Sequence, residues 1–441
     1  MSFVSITAEE KKEMLNKIGV SSVEDLFEDI PEDVKLKGDL SLKEALSEME
    51  VSDLINSLGD KNFTASSFSG AGIYNHYIPS VVDYLSSRSE FYTAYTPYQP
   101  EVSQGTLTAI FEFQTMMSRL TAMDVTNASM YDGATACAEA MLMAARTTRK
   151  NKFLISKALH PSYREVLKTY AWAADITLIE VNCVNGITDL KNLEEQLNDE
   201  IGAVIIQSPN FFGSIEQVET ITKMIHSHKA KIIVTITEAL SLALLKAPGE
   251  MGVDIVCGEA QSFGNAPGFG GPLLGFISAE KSFMRNMPGR LVGKSTDEDG
   301  DTAYVLTLQT REQHIRRERA TSNICTNQGL CLLRSVIYLT YYGNKLRDLA
   351  LYNHKIASYL RQNLIEKGFE ILYDQPFFNE FIVKYKDADK LLSRLKDNGI
   401  NGGVYLGDHV DECPHCILIC ATEMNSKEDI DKLVETIESL V

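Results

Sequence analysis

Six residues between positions 132 and 261 have types that could together grip a flat, phosphorylated ring. Asp132-Gly133-Ala134-Thr135-Ala136 is a small-residue turn opening an Ala- and Met-rich helix. Backbone N–H groups at such a start, with the Thr135 hydroxyl, suit a phosphate, although the same residues also suit a simple capped helix. His160, ahead of Pro161, offers an imidazole that could stack on a ring or serve as a polar loop residue. Glu238 ends the run IIVTIT, where an acid could pair with a protonated ring nitrogen. From Val253 to Phe276 the chain reads apolar strand, polar elbow, Gly-rich loop and apolar strand, and the elbow holds Glu259, Ala260, Gln261 and Ser262. A Schiff base needs a primary amine, and the Gln261 amide cannot form one.

These residues need strand ends to bring them together, and the pattern supplies them. β-branched runs at 153–155, 176–181, 203–206, 232–236 and 253–257 alternate with amphipathic helical patterns at 163–174, 190–197 and 216–228. A strand-and-helix repeat of about 25 residues predicts a parallel, helix-covered sheet, in which ligands sit at the carboxyl ends of the strands. The order of turn, imidazole, acid and elbow is that of a fold-type-I pyridoxal phosphate (PLP) enzyme. Two parts depart from it: Gln261 stands in the lysine slot, and Glu238 is one methylene longer than the usual aspartate. The expectation is therefore a degenerate PLP pocket of Asp132, Gly133, Thr135, His160, Glu238 and Gln261, with no cofactor bound covalently to this chain.

Before this repeat, Thr7 is expected to cap a helix over 8–19 and Ser41 another over 42–59. The acidic cluster from Glu24 to Asp33 reads as a solvated face. An irregular, aromatic-rich stretch (62–105) precedes a buried helix at 104–123, with Leu107, Ile110, Phe113 and Met117 at helical spacing. After Asn327 helical tracts at 329–340 and 346–368 lead to strands at 369–373, 380–385 and 417–421, with helices at 387–398 and 427–440. The division expected is a helical arm (1–62), a large α/β domain with a parallel-rich sheet (63–326) and a small α+β domain (327–441).

Composition excludes several classes. A net charge of −18 and a pI near 5.0 argue against nucleic acid and anionic membranes as partners. No apolar run approaches the roughly 20 residues of a membrane span, and the N-terminus lacks the apolar core of a secretion signal. Eight scattered cysteines suit a reducing cytoplasm. Cys413 and Cys416 are expected to be reduced thiols near the surface rather than metal ligands. Gly70-Ala71-Gly72 lacks the third glycine and the preceding strand of a dinucleotide site, and Arg316-Arg317-Glu318-Arg319 is too short and mixed for a nucleic-acid patch.

Longer stretches carry a specific resemblance. SFSGAGIYNHYIP (67–79), YTPYQPEVSQG (95–105), QSPNFFGSIE (207–216), GRLVG (289–293) and LTLQTREQHIRRERATSNICTNQGL (306–330) resemble the P-protein of the glycine cleavage system, the decarboxylating glycine dehydrogenase. Thr106 departs from that pattern, which often has Arg after SQG. Where this protein is split in two, the half without the lysine is subunit 1 (α). The resemblance therefore implies a subunit of an α₂β₂ enzyme, with PLP on the β subunit (subunit 2). Glycine would lose CO₂ there and its aminomethyl group would pass to lipoylated H-protein. Tyr95, Thr96, Pro97, Tyr98 and Gln99, with Ser67, become the residues expected to complete the partner's active site. The first five lie in Tyr95–Glu101, read as one loop that two prolines stiffen, and its tyrosines, threonine and glutamine offer hydroxyl and amide groups without charge. The rivals are a structural scaffold and a self-sufficient PLP enzyme using Lys246, Lys281 or Lys294.

Overall fold

Seven short strands built from the β-branched runs form one sheet, which fixes where every candidate residue lies. In the computed structural model, which describes residues 5–62, 65–410 and 413–440, these strands are β1 (Val125–Thr126), β2 (Lys152–Ser156), β3 (Thr177–Val181), β4 (Ile201–Gln207), β5 (Lys231–Ile236), β6 (Ile255–Glu259) and β7 (Gly275–Ala279). Their order is β1-β7-β6-β5-β4-β2-β3. Strands β3, β2, β4, β5 and β6 run parallel, while β7 is antiparallel to both β6 and β1. β4 is buried at all of its positions, as a strand covered on both faces must be. The expected parallel-rich α/β sheet is present.

The chain divides into two compact units, Met1–Phe63 and Thr64–Val441. The beginning of the N-terminal reading (1–4), the proposed boundary at 63 and the final residue lie outside the described residues. In the first unit, helix Ala8–Ile18 starts at Thr7 as expected, through a reciprocal capping box with Glu10. The second helix begins later than the sequence suggests, at Glu48 rather than after Ser41. Ser47 and Glu50 satisfy each other's backbone N–H groups there, an arrangement that Ser41 lacks. Neither helix buries a residue.

In the second unit, helix Pro100–Thr121 opens with proline at its first position, where the missing N–H costs nothing. Pro100 and Glu101 are therefore helical, which corrects the reading of 95–101 as a single loop. Its buried face (Leu107, Ile110, Phe113, Met117) joins the core under the sheet, together with Leu332, Val336 and Tyr338 of helix Gly329–Tyr342. A hairpin that the pattern did not reveal, β8 (Leu291–Thr296) with β9 (Thr302–Thr307), packs against the same long helix. A second sheet, in the order β10-β11-β13-β12, combines β10 (Glu370–Ile371), β11 (Glu380–Lys384), β12 (Val404–Tyr405) and β13 (Cys416–Cys420), all antiparallel. Cys413 and Cys416 lie against it and are buried, not near the surface. The cause is local: Cys416 begins the central strand β13 and Cys413 packs beneath Ile382, Leu406 and Leu418.

Candidate functional site

The strand ends do bring the expected pocket residues together, but each is engaged by the protein itself. Asp132 caps helix Gly133–Thr148 by accepting the Thr135 N–H at 2.8 Å, and the Thr135 hydroxyl donates back to the Asp132 carbonyl at 3.1 Å. The Gly133 N–H, the donor best placed for a phosphate, instead donates to Glu259 Oε2 at 2.9 Å. Glu259 Oε1 also accepts from Leu274 N–H at 2.7 Å and Gln261 N–H at 3.1 Å. One buried carboxylate thus fills the anion cradle. Burial pushes this carboxyl up to about 7, against the pull of the N–H donors from Leu274 and Gly133.

The ring-binding residues are engaged in the same way. Gln261 accepts the Tyr74 N–H at 3.0 Å and donates to the Tyr74 carbonyl at 3.0 Å, and its amide also donates to the Asn265 carbonyl. Glu238 Oε2 lies 2.9 Å from His76 Nε2 and accepts from Asn379 at 3.1 Å, while Oε1 accepts the Leu240 N–H. The other nitrogen of His76 meets Glu423 Oε2 at 2.9 Å. Burial alone would depress this imidazolium, but the two carboxylates outweigh it and raise it to about 10. His160 caps helix Pro161–Ala173: its Nδ1 accepts the Ser162 N–H, so Nε2 carries the proton given to the Ala71 carbonyl at 2.9 Å. Its ring meets Phe211 edge-on, with centroids 4.9 Å apart. The residues present do not fit PLP. No amine stands at 261, the phosphate donor is already bound, and the acid at 238 already holds a cation.

Of the residues that fill this pocket, Tyr74, His76, Glu380 and Glu423 have no role assigned from the sequence, and Glu259 is known there only as part of the elbow. His76 was the available signal, a lone histidine in the otherwise aromatic and aliphatic GIYNHYIP. The alternative lysines lie elsewhere. Lys246 is exposed and pairs with Glu219 at 2.9 Å, Lys281 opens an exposed turn after β7, and Lys294 is exposed on β8.

The second candidate site is the segment before helix Pro100–Thr121. Tyr98 and Thr96 close a tight turn (N–H to carbonyl, 2.8 Å), and Pro97 is buried. The Tyr98 hydroxyl accepts from Arg290, and its ring packs edge-on against His314. Arg290 is buried and also donates to the Thr326 hydroxyl at 2.9 Å, Asn327 Oδ1 at 3.1 Å and the Cys325 carbonyl at 2.9 Å. Glu312 approaches its Nε at 3.9 Å, and Glu312 Oε1 has no hydrogen-bond partner among the described residues. Gln104 fixes the far end of the segment to Tyr304 of β9 through two hydrogen bonds. Tyr95 stands 85% exposed beside a cavity of about 310 Å³, lined also by Thr96, Pro97, Thr326, Asn327 and Gln328. Ser67 is not part of this group. It accepts from Asn401 at 3.1 Å, and its carbonyl accepts from Asn425, beside the four-stranded sheet. The motif GRLVG and the stretch 306–330 carry no local sign of a role for Arg290, Glu312 or Thr326. Only folding brings those stretches to Tyr98.

Comparison with known proteins agrees with this architecture. The family description "Glycine cleavage system P-protein" matches residues 1–437. A protein of Anoxybacillus flavithermus named probable glycine dehydrogenase (decarboxylating) subunit 1 is 48% identical over 98% of both chains. A crystal structure of glycine decarboxylase (P-protein) of the glycine cleavage system, in inhibitor-bound form, superposes with a TM-score of 0.88 at 40% identity, over 100% of both chains. An alanine–glyoxylate aminotransferase from Nostoc sp. shares the fold alone, with a TM-score of 0.61 at 15% identity over 86% of this chain and 96% of its own. The fold is that of the fold-type-I PLP-dependent enzymes. A match to the family description over residues 1–437 and a relative 48% identical along nearly the whole chain show that this chain belongs to the glycine cleavage system P-protein family.

Proposed function

We propose that this chain is the α subunit of a two-chain glycine decarboxylase, working in the cytoplasm, and that it walls the β subunit's active site without supplying a Schiff-base lysine. The observation that carries this reading is the contrast between Tyr98 and Tyr95. A buried guanidinium holds the first, and the second projects into solvent from the same stiff turn. A rigid exposed segment over a cavity, on a chain whose own pocket is closed, has a use if another chain approaches it. PLP bound on the β subunit would supply the electron sink for decarboxylation. The residues here would orient and enclose: Tyr95, Thr96 and Gln99 present uncharged donors and acceptors, and Pro97 and Tyr98 fix their positions. The assembly that suits this reading is α₂β₂, with lipoylated H-protein as acceptor of the aminomethyl group.

The test is to assemble the two-chain enzyme with Tyr95→Ala or Gln99→Ala and follow glycine decarboxylation and transfer to lipoylated H-protein. Turnover should fall while assembly and thermal stability hold. Unchanged turnover in both variants would leave the chain as a scaffold.

A further inference from the structure

The segment Gly70–Tyr77 enters the cofactor-type pocket from a part of the chain far from it in sequence, and it is tied at almost every step. Ala71 N–H and the Tyr74 hydroxyl both donate to the buried Glu380 at 2.6 Å. The Tyr74 backbone pairs with the Gln261 amide, the Asn75 carbonyl accepts from Thr422, and the Tyr77 N–H donates to Glu423 at 2.8 Å. A side chain on Gly70 would meet Glu380 at 2.2 Å, so the entry point tolerates only glycine. Between these ties His76 places its ring against Glu238, where a pyridinium would pair, and Glu259 places its carboxylate where a phosphate would sit.

The ties also reach two separate layers. Glu259 ends β6 of the seven-stranded sheet, and Glu238 and Gln261 follow β5 and β6. Glu380 lies on β11 of the four-stranded sheet, and Glu423 follows β13. Asn379 reaches from the second layer to Glu238, and Asn353 of helix Leu346–Glu366 donates to Glu423. An imidazolium between two carboxylates, one from each layer, is a bridge that neither layer provides alone. Without the imidazolium, two buried carboxylates would be left with no cation between them.

We propose that Gly70–Tyr77 is a built-in occupant of this pocket, with the His76 imidazolium and the Glu259 carboxylate taking the places of a cofactor's ring and phosphate, and that it locks the two sheets into one arrangement. The pocket's role has passed from holding a ligand to holding the fold, whatever the Tyr95 segment does for a partner.

The experiment uses the full chain. Its His76→Ala variant should melt several degrees below the parent, with faster hydrogen exchange at both Glu238–Leu240 and Thr422–Asn425. Added imidazole should recover most of the lost melting temperature. Exchange changes confined to 70–77, or no recovery with imidazole, would overturn the bridge. A parent-chain measurement covers the case of a variant that fails to fold. With ¹⁵N-labelled histidine, the His76 ring should remain doubly protonated at pH 8, and a neutral ring there would overturn the proposal. PLP added in excess to the parent chain should show no saturable binding, and stoichiometric binding would refute the occupancy.

Discussion

The Arg290 guanidinium donates to the Tyr98 hydroxyl at 3.0 Å and lies 5.4 Å from the centre of its ring. A single buried cation therefore joins two stretches 192 positions apart and sets the direction of the exposed segment. Arg290→Lys keeps the charge but loses the planar fork that reaches Tyr98, Cys325, Thr326 and Asn327 together. The expected cost is about 3 kcal/mol, read by denaturant unfolding, with turnover of the assembled enzyme falling further than stability explains. Tyr98→Phe removes one acceptor and keeps the ring, so about 1 kcal/mol is expected.

The Gly133 position should tolerate no side chain. An added Cβ would lie 2.0 Å from the Tyr163 hydroxyl and 2.9 Å from the Glu259 backbone nitrogen. Gly133→Ala should cost about 3 kcal/mol through forced displacement of the helix start. Gly105 lies within helix Pro100–Thr121 with nothing near its absent Cβ. Gly105→Ala should stabilise the isolated chain by about 0.5–1 kcal/mol. Calorimetry on the two variants checks both signs.

Restoring the missing amine should not restore chemistry. In Gln261→Lys the ammonium loses the acceptor that Tyr74 N–H requires and enters a site of low dielectric. A loss of about 2–4 kcal/mol and no PLP aldimine absorbance are expected. An aldimine band in this variant would show that the pocket had opened.

Stability should fall as the solution becomes alkaline, and one residue should account for much of the slope. His76 titrates near 10 in the folded chain against an ordinary 6.5. Below 6.5 both states hold the proton and the stabilisation is complete. Between 6.5 and 10 only the folded state holds it, so stability declines by up to about 1.4 kcal/mol per pH unit. The groups facing His76 are Glu238, Glu423 and the Tyr74 ring. His76→Gln should flatten that limb in urea titrations from pH 7 to 9. Glu259 and Glu380, both raised to about 7 chiefly by burial, act lower on the scale. Their contribution is full below about 4.5 and is lost as pH rises through 7, so Glu259→Gln should flatten the limb between those values.

The sequence by itself determined the alternation of strand and helix, because β-branched runs and helical apolar spacing are local properties of the chain. It also determined that residue 261 cannot hold a carbonyl cofactor, which is a matter of functional group and needs no coordinates. Element starts were less legible. The capping pair Ser47–Glu50 and the opening Pro100 competed with other plausible starts a few residues away. Only the tertiary structure decided what became of the pocket. His76 lies 162 positions from Glu238 and 347 from Glu423, and Tyr74 lies 187 from Gln261. No periodicity links residues so far apart. Their pairing follows from the packing of two sheets around a segment that threads between them, where the buried His76 meets Glu238 and Glu423 while Glu259 and Glu380 are held by N–H and O–H donors.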